Sequence, residues 1–160
     1  MPRARRARLI GAERSSVWEV ISDPHHLSRW WPKVVRVEAV QERSRGTGTL
    51  WTKVLRTKAG RDVRADFRCL YSKKPSAYAW EQEVEGSPFA KVFRSAVTRI
   101  GLDEDDSGTI VELKVEQRLR GMSRLGSFML KRATATQLDD ALEALAGLFE
   151  RAPEETPSNP

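Results

Sequence analysis

The 160-residue chain contains a single cysteine, Cys69, and therefore cannot form an internal disulfide. A lone cysteine is typical of proteins that reside in a reducing compartment. No run of residues approaches the roughly 20 apolar positions that a membrane-spanning helix requires. After the basic residues 1–8 the apolar stretch ends at Ala12, so no secretion signal is expected. These absences predict a cytoplasmic protein that folds around a hydrophobic core.

The chain has equally few residues suited to metal or phosphate chemistry. Its two histidines, His25 and His26, are adjacent in an Asp-Pro turn, with no cysteine or carboxylate at metal-ligand spacing. No phosphate-binding loop, nucleophile elbow or zinc cluster occurs in the sequence. Cys69 lies in the middle of an apolar strand face, where a buried structural thiol is expected. The sequence predicts no metal site and no cofactor.

Basic residues are in excess, with 28 Lys and Arg against 22 Asp and Glu and a formal net charge of +6. Such an excess is compatible with nucleic acid or an anionic membrane surface as a partner. The arginines are spread along the chain, which favours an ordinary solvated surface. An RNA- or protein-binding module stays open as an alternative if the strand ends bring together Arg3, Arg5, Arg6, Arg8, Arg43, Arg45, Arg56 and Arg61.

Alternation of apolar and polar residues predicts seven strands. On the first, Ala4 to Gly11, Ala7 and Leu9 are expected to share one face, and Arg6 and Arg8 the solvent face. Six more are predicted at Val34–Glu42, Thr49–Thr57, Val63–Tyr71, Tyr78–Val84, Phe89–Leu102 and Val111–Leu119. Because the connections between these six are short, we expect hairpins and an antiparallel meander.

Two short helices are predicted between the first two strands. The first runs through Val17–Ile21 and is capped by Ser15 or Ser16, and the second begins at Pro24 and ends before Pro32.

A long C-terminal helix is predicted from Ser123 or Leu125 to Glu150. Its apolar stripe consists of Phe128, Ala135, Leu138, Leu142, Leu145 and Phe149. Residues 1–150 are expected to form one domain, and the polar, proline-rich residues 151–160 a disordered tail.

The order of these elements resembles the START/polyketide cyclase (SRPBCC) superfamily over about Ala4 to Phe149. The most specific part is Ser16–Pro24, SVWEVISDP, followed by Leu27–Pro32, LSRWWP, ahead of a valine-rich strand. This pattern is similar to the polyketide cyclase/dehydrase and lipid-transport branch. The resemblance implies an α+β helix-grip fold, in which a seven-stranded curved antiparallel sheet wraps around the long C-terminal helix. It leaves the reaction open, because members bind, carry or transform very different hydrophobic molecules.

A cavity between the sheet and the long helix is also expected from small residues on the facing surfaces, namely Ala39, Ala65, Ala96, Ala135 and Ala141. Pockets of this kind are lined by apolar and aromatic groups with a few polar anchors. The candidate ligand-binding residues are Trp31, Phe67, Tyr78, Trp80, Gln82, Arg94, Gln117, Phe128 and Leu138.

Two of the polar candidates have alternative roles. A buried Gln82 amide requires a hydrogen-bond partner, which is either a ligand or an internal group such as Gln117. Arg94 either points inward to bind a carboxylate or enolate, or points to solvent, because both faces of its strand are apolar.

The tryptophans raise similar alternatives. One of Trp30 and Trp31 is expected on the sheet rim and the other at the pocket mouth, unless both are core residues. Trp51, which shares a strand face with Lys53 and Leu55, is expected to point outward as a contact surface.

The leading functional hypothesis is binding of a polyketide-, lipid- or isoprenoid-like molecule in the internal cavity. The second is a cyclase or dehydratase acting on a polyketide-like chain, with Tyr78, Gln82, Arg94 and Gln117 as its polar set. The third is the non-enzymatic interaction module described above.

Overall fold

The computed structural model describes residues 3–121 and 123–150. Its seven strands form one antiparallel sheet in the spatial order β1-β7-β6-β5-β4-β3-β2. The strands are β1 (Arg3–Ile10), β2 (Val34–Gln41), β3 (Leu50–Arg56), β4 (Asp62–Lys73), β5 (Ala77–Gln82), β6 (Phe93–Asp105) and β7 (Gly108–Leu119). The predicted meander from β2 to β7 is confirmed, and β1 joins it beside β7.

Within the described part of the chain, three α-helices accompany the sheet: α1 (Arg14–Ile21), α2 (Leu27–Trp30) and α3 (Arg124–Glu150). A 3-10 turn at Pro24–His26 precedes α2, with Pro24 in its first turn as expected. The long helix α3 packs against β1, β7 and α2. This arrangement confirms the helix-grip α+β fold. The predicted disordered tail, residues 151–160, lies outside the described residues. No helix among residues 3–121 and 123–150 has the length and apolar character needed to cross a membrane.

The hydrophobic core lies between the concave face of the sheet and the helices. From α3 the core receives Leu138, Leu142 and Leu145, which recur at spacings of four and three and so share one helix face. From β7 it receives Val111 and Leu113, at the spacing of two that places side chains on the same side of a strand.

The predicted faces of β1 are wrong. Ala4 and Ile10 are buried, with 5% and 1% of their surface exposed, so the even-numbered positions face the helix. Arg6 therefore also lies on the helix side, where its Nε is 3.1 Å from Asp139 Oδ1 of α3. Leu9 is on the outer face and is 46% exposed. The two buried residues at the ends of the strand determine its orientation, and arginine side chains are long enough to reach water from the margin of the inner face.

Two element boundaries also differ from the predictions. Helix α1 begins two or three residues earlier than predicted, with Glu13 at the N-cap, and no side chain caps it. The segment Pro88–Lys91 forms a 3-10 turn, so β6 begins at Phe93.

The eight arginines of the interaction-module hypothesis do not meet at one set of strand ends. Arg43 and Arg45 lie in the connection from β2 to β3, whereas Arg56 and Arg61 lie at the opposite end of β3. The remaining four arginines are on β1, which forms the opposite edge of the sheet from β2. The clustering on which that hypothesis depends is therefore not observed.

Gly108 follows the two-residue connection between β6 and β7. Its backbone conformation and the space around it suit only glycine. Its φ is +144°, and a Cβ atom there would lie 2.1 Å from the Ile10 carbonyl oxygen. Both features disfavour any residue with a side chain.

We expect Gly108→Ala to lower the free energy of unfolding by about 2 kcal/mol or more, because backbone strain and a backbone clash add. Chemical denaturation measures the change. The matched control is Gly101→Ala, since Gly101 lies in the same sheet with an ordinary φ and no atom within 4 Å of the position that a Cβ would take. Equal losses in the two variants would contradict this account of Gly108.

Candidate functional site

A cluster of aromatic side chains occupies the inner face of the sheet beside α2. Trp80 of β5 is at its centre, with ring centroids 5.1 Å from Trp31, 6.1 Å from Trp51 and 6.5 Å from Trp30. Tyr78 lies 6.2 Å from Trp80 along the same strand. Most of these pairs meet edge to face, the arrangement that aromatic quadrupoles favour. The result is a rigid apolar wall.

Strand register builds this wall. Trp51 of β3 is opposite Phe67 of β4, and Phe67 is opposite Gln82 of β5. The three side chains therefore form a row across the sheet, and the Trp51 and Phe67 rings stack with an interplanar angle of 13°. One step along the same two strands, Lys53 is opposite Ala65. Since residues two apart share a face, Lys53 is placed in the interior with Trp51.

Lys53 is buried within the aromatic cluster, with only 2% of its surface exposed. Its Nζ lies 4.1 Å from the centroid of the Phe67 ring, 4.4 Å from that of Trp80 and 4.8 Å from that of Trp31. The prediction that Trp51 and Lys53 point outward is therefore wrong. Trp51 is itself 2% exposed.

The environment of Lys53 disfavours a charged amine. Cation–π contacts stabilise an ammonium group by about 0.5–2 kcal/mol each, whereas removal of the charge from water costs several kcal/mol. Within the described residues no carboxylate forms an ion pair with this side chain, and burial lowers the pKa of Lys53 well below its usual value of 10.5. Burial in these apolar surroundings thus favours the neutral amine, which has an available lone pair, over the ammonium form.

Three further nitrogen donors of the cluster are buried without a hydrogen-bond partner among the described residues: Trp30 Nε1, Trp51 Nε1 and Gln82 Nε2. The alternative of a Gln82–Gln117 pair is not observed, because Gln117 Oε1 accepts a hydrogen bond of 3.4 Å from the Thr134 hydroxyl. An unpartnered buried donor costs about 1–3 kcal/mol. Since these groups are all donors, the complementary ligand is one that carries hydrogen-bond acceptors.

A cavity of about 350 Å³ lies beside the cluster at the β2 edge of the sheet. It is lined by Ala39, Gln41, Leu50, Trp51 and Phe67 and by three polar residues, Thr52, Asp66 and Glu83. The Thr52 hydroxyl donates a hydrogen bond to Asp66, and this pair is exposed. The register of β2 against β3 shifts between Glu38 and Gln41, and Ala39 has a φ of +52°. This bulge separates the two strands locally. The cavity has the size of a site for a small organic ligand.

Some of the other predicted site residues lie in the core, and others lie on the surface. Tyr78 is buried, and burial raises the pKa of its hydroxyl, so the phenol stays protonated and can only act as a neutral group. Leu138 is a core residue with no exposed surface. Phe128, at the start of α3, is 60% exposed. It lies on a different element from the residues that form the aromatic wall. Trp30 and Trp31 are both buried, as the core alternative required.

Arg94 is exposed, and the outward alternative describes its position. It falls where the register of β6 against β7 shifts, between Phe93 and Ser95. An extra residue at such a bulge has no cross-strand partner, and the alternation of faces is broken there. Extrapolation of the strand phase from Thr98 and Ile100 therefore fails at Arg94.

Lys53 was missed as a site residue because lysine is expected on the solvent face of a strand. The signal that could have identified it is the clear apolar face of β4, which contains Ala65 and Phe67. Aligning β3 and β4 as a hairpin about residues 57–61 places Trp51 opposite Phe67 and Lys53 opposite Ala65. An apolar strand face extends to the directly opposite residues of its neighbour.

Comparison with known proteins adds a family and a fold. The model of the family described as polyketide cyclase/dehydrase and lipid transport matches residues 1–150. No curated protein matches the chain. Among solved structures, the di-domain ARO/CYC StfQ from the steffimycin biosynthetic pathway is similar, with 11% identity and a TM-score of 0.78 over 93% of this chain. The chain spans 51% of StfQ, about half its length.

Two solved structures of about the same length as this chain are also similar. A START superfamily protein from Mycobacterium smegmatis has 12% identity and a TM-score of 0.76, covering 94% of this chain and 99% of that one. The protein TTHA0849 from Thermus thermophilus has 19% identity and a TM-score of 0.72, covering 93% and 97%. At these identities the structures establish a shared fold and leave the ligand of this chain undetermined.

The lowered pKa of Lys53 makes stability depend on pH. Between that lowered pKa and 10.5, the unfolded chain binds a proton that the folded chain does not. The free energy of unfolding should therefore rise with pH in this window, by about 1.4 kcal/mol per pH unit. We expect Lys53→Met to lose this rise and to be more stable than the wild type near neutral pH.

Urea denaturation of the two proteins at about pH 8 and about pH 9.5 tests this, and subtraction cancels the other titrating groups. Lys91→Met is the matched control, because Lys91 is exposed. If wild type and Lys53→Met change in parallel with pH, the Lys53 amine is protonated in the folded protein.

Proposed function

Since this chain belongs to the polyketide cyclase/dehydrase and lipid transport family, we propose that it binds a small hydrophobic molecule bearing carbonyl or enolate oxygens at the Lys53 aromatic cluster. The family and the fold are consistent with hydrophobic ligand binding or with cyclase activity. The observation that carries the proposal is the buried Lys53 amine, enclosed by Trp31, Phe67 and Trp80.

The chemistry of the ligand follows from what the cluster offers. Its aromatic rings suit an apolar or aromatic skeleton, and its unpartnered nitrogens suit oxygen acceptors on that skeleton. A polyketone or an aromatic ketone satisfies both conditions. A plain hydrocarbon satisfies the first only, and would leave Trp51 Nε1, Gln82 Nε2 and Lys53 Nζ without partners.

The route for the ligand is the cavity at the β2 bulge. Phe67 connects this cavity to Lys53, since it lines the cavity and its ring centroid lies 4.1 Å from Nζ.

We expect benzoylacetone, an aromatic diketone, to bind through these donors, whereas butylbenzene has the same carbon skeleton without the acceptors. Combining Lys53→Met with Gln82→Met should weaken binding of the diketone by about tenfold or more and leave binding of the hydrocarbon within about twofold. Equilibrium dialysis measures both affinities.

Arg94→Ala is the control for this experiment, and it should change neither affinity because Arg94 is exposed. A loss of diketone affinity in Arg94→Ala would show that the ligand binds elsewhere. Equal losses for the diketone and the hydrocarbon in the double variant would mean that the substitutions alter the pocket rather than remove donors.

A second candidate function, carbon-acid chemistry of the kind used in polyketide cyclisation, is favoured by the lowered pKa of Lys53. The neutral amine would take a proton from the carbon next to a ligand carbonyl. The C–H bond breaks, the proton moves to Nζ, and the electron pair passes to the carbonyl oxygen as an enolate. Gln82 Nε2 or Trp51 Nε1 would donate a hydrogen bond to that oxygen.

This candidate predicts that the protein accelerates exchange of the α-protons of 1-tetralone in heavy water, followed by proton NMR. General-base catalysis typically contributes about 100-fold or more, and Lys53→Met should return the rate to that of buffer. Gln82→Met should retain part of the acceleration, and Lys91→Met all of it. Unchanged exchange in Lys53→Met would limit the protein to binding.

A further inference from the structure

The first two turns of α3 expose large apolar side chains that nothing in the described structure covers. Leu125, Phe128 and Met129 are 69%, 60% and 62% exposed. They are spaced by three and four residues and therefore share one face of the helix. Farther along, α3 buries its apolar residues completely, as at Leu138 and Leu145. The other exposed large hydrophobics of the described residues, Leu9 among them, are at most 46% exposed.

Positive charge surrounds this apolar face. A groove of about 460 Å³ between β1 and α3 is lined by Arg3, Ala4, Arg5, Arg6, Phe128, Lys131, Arg132 and Ala135. Arg5 and Arg6 have acidic partners, Glu112 and Asp139. Lys131 and Arg132 form no ion pair within the part of the chain that the structure describes. From residue 118 to residue 138 the sequence has five basic residues and no acidic one.

The charges of α3 are arranged against its own dipole. A helix is stabilised by acidic residues in its first turn and basic residues in its last turn. Helix α3 has neither, begins with Arg124 and ends with Glu150. Its basic residues lie in the N-terminal half, and Asp139, Asp140 and Glu143 in the C-terminal half. Charges that oppose local stability are a feature of functional sites.

We propose that this face, formed by Leu125, Phe128, Met129, Lys131 and Arg132, docks on an anionic membrane surface. The apolar side chains enter the boundary between headgroups and acyl chains, and the basic side chains contact lipid phosphates. A helix face with Phe and Leu beside Lys and Arg is the combination that interfacial helices use. Stable attachment requires both an apolar and a basic contribution, and this face supplies both.

A lipid surface fits better than a protein partner. The three apolar side chains are each more than half exposed, and Lys131 and Arg132, which form no ion pair among the described residues, follow them on the same helix. A fluid lipid layer with anionic headgroups accommodates both kinds of side chain, whereas a protein partner would need a surface of complementary shape. This inference rests on the surface of α3 alone and is independent of the ligand proposed for the Lys53 cluster.

Vesicle co-sedimentation of the full chain tests the inference. We expect binding to vesicles of equal parts phosphatidylcholine and phosphatidylglycerol that is at least about tenfold tighter than binding to phosphatidylcholine alone, and that weakens with salt. Lys131→Glu with Arg132→Glu should weaken binding by at least about tenfold, since each basic residue near an anionic surface contributes about fivefold. Substituting Leu125, Phe128 and Met129 by Ser should weaken it comparably.

Two control variants separate this face from general properties of the protein. Arg43→Glu with Arg45→Glu makes the same change of charge on the exposed connection from β2 to β3, and Leu9→Ser with Ile110→Ser removes exposed apolar groups from the outer face of the sheet. Both should bind within about twofold of the wild type. Circular dichroism establishes that each variant is folded.

Several results would overturn the inference. The wild type would bind neither kind of vesicle, or the control variants would lose as much binding as the α3 variants. Binding that persists in the α3 variants would also contradict it. A self-association that disappears in the α3 variants, without vesicle binding, would assign the face to a second copy of the chain. Vesicle-independent capture of an acidic protein by the wild type alone would assign it to a protein partner.

Discussion

Antiparallel pairing of β3 with β4 determines which side chains face the interior of this protein. Because side chains alternate along a strand, placing Trp51 opposite Phe67 also turns Lys53 inward. A slip of one residue would return the amine to water and bury Thr52 in its place. The aromatic wall holds this register, since Trp51 stacks on Phe67 and meets Trp80 edge to face. The energy of packing large rings compensates for the desolvation of one amine.

A buried polar group can bind a ligand only if it has no hydrogen-bond partner within the protein. In this cluster Gln82 Nε2 and Trp51 Nε1 have no hydrogen-bond partner among the described residues, whereas Gln117 and Cys69 are bonded internally, to Thr134 and to the Tyr71 carbonyl. The distinction separates side chains whose polar groups are satisfied within the core from side chains whose donors are unpaired.

The order and type of the elements were predictable because period-two and helical patterns are strong over long segments, as in β4, β7 and α3. Side-chain orientation was predictable where the apolar residues at both ends of a strand indicate the same buried face. It failed on β1, where arginines occupy the inner margin, and on β3, where a lysine occupies an apolar face. At Arg94 the pattern left both orientations open, and a bulge that interrupts the alternation places the side chain outside. Each failure concerns a residue whose position depends on partners distant in sequence, information that one strand's own pattern does not contain.

The bulge in β2 has a consequence for association as well as for the cavity. Strands β1 and β2 are the two free edges of the sheet, and a regular free edge is a template on which another copy's strand can pair. Along β1, four arginines discourage such pairing by repulsion. Along β2, the irregular backbone around Ala39 interrupts the row of amides and carbonyls. The irregularity that forms one wall of the cavity thus also protects this edge against strand pairing between copies of the chain.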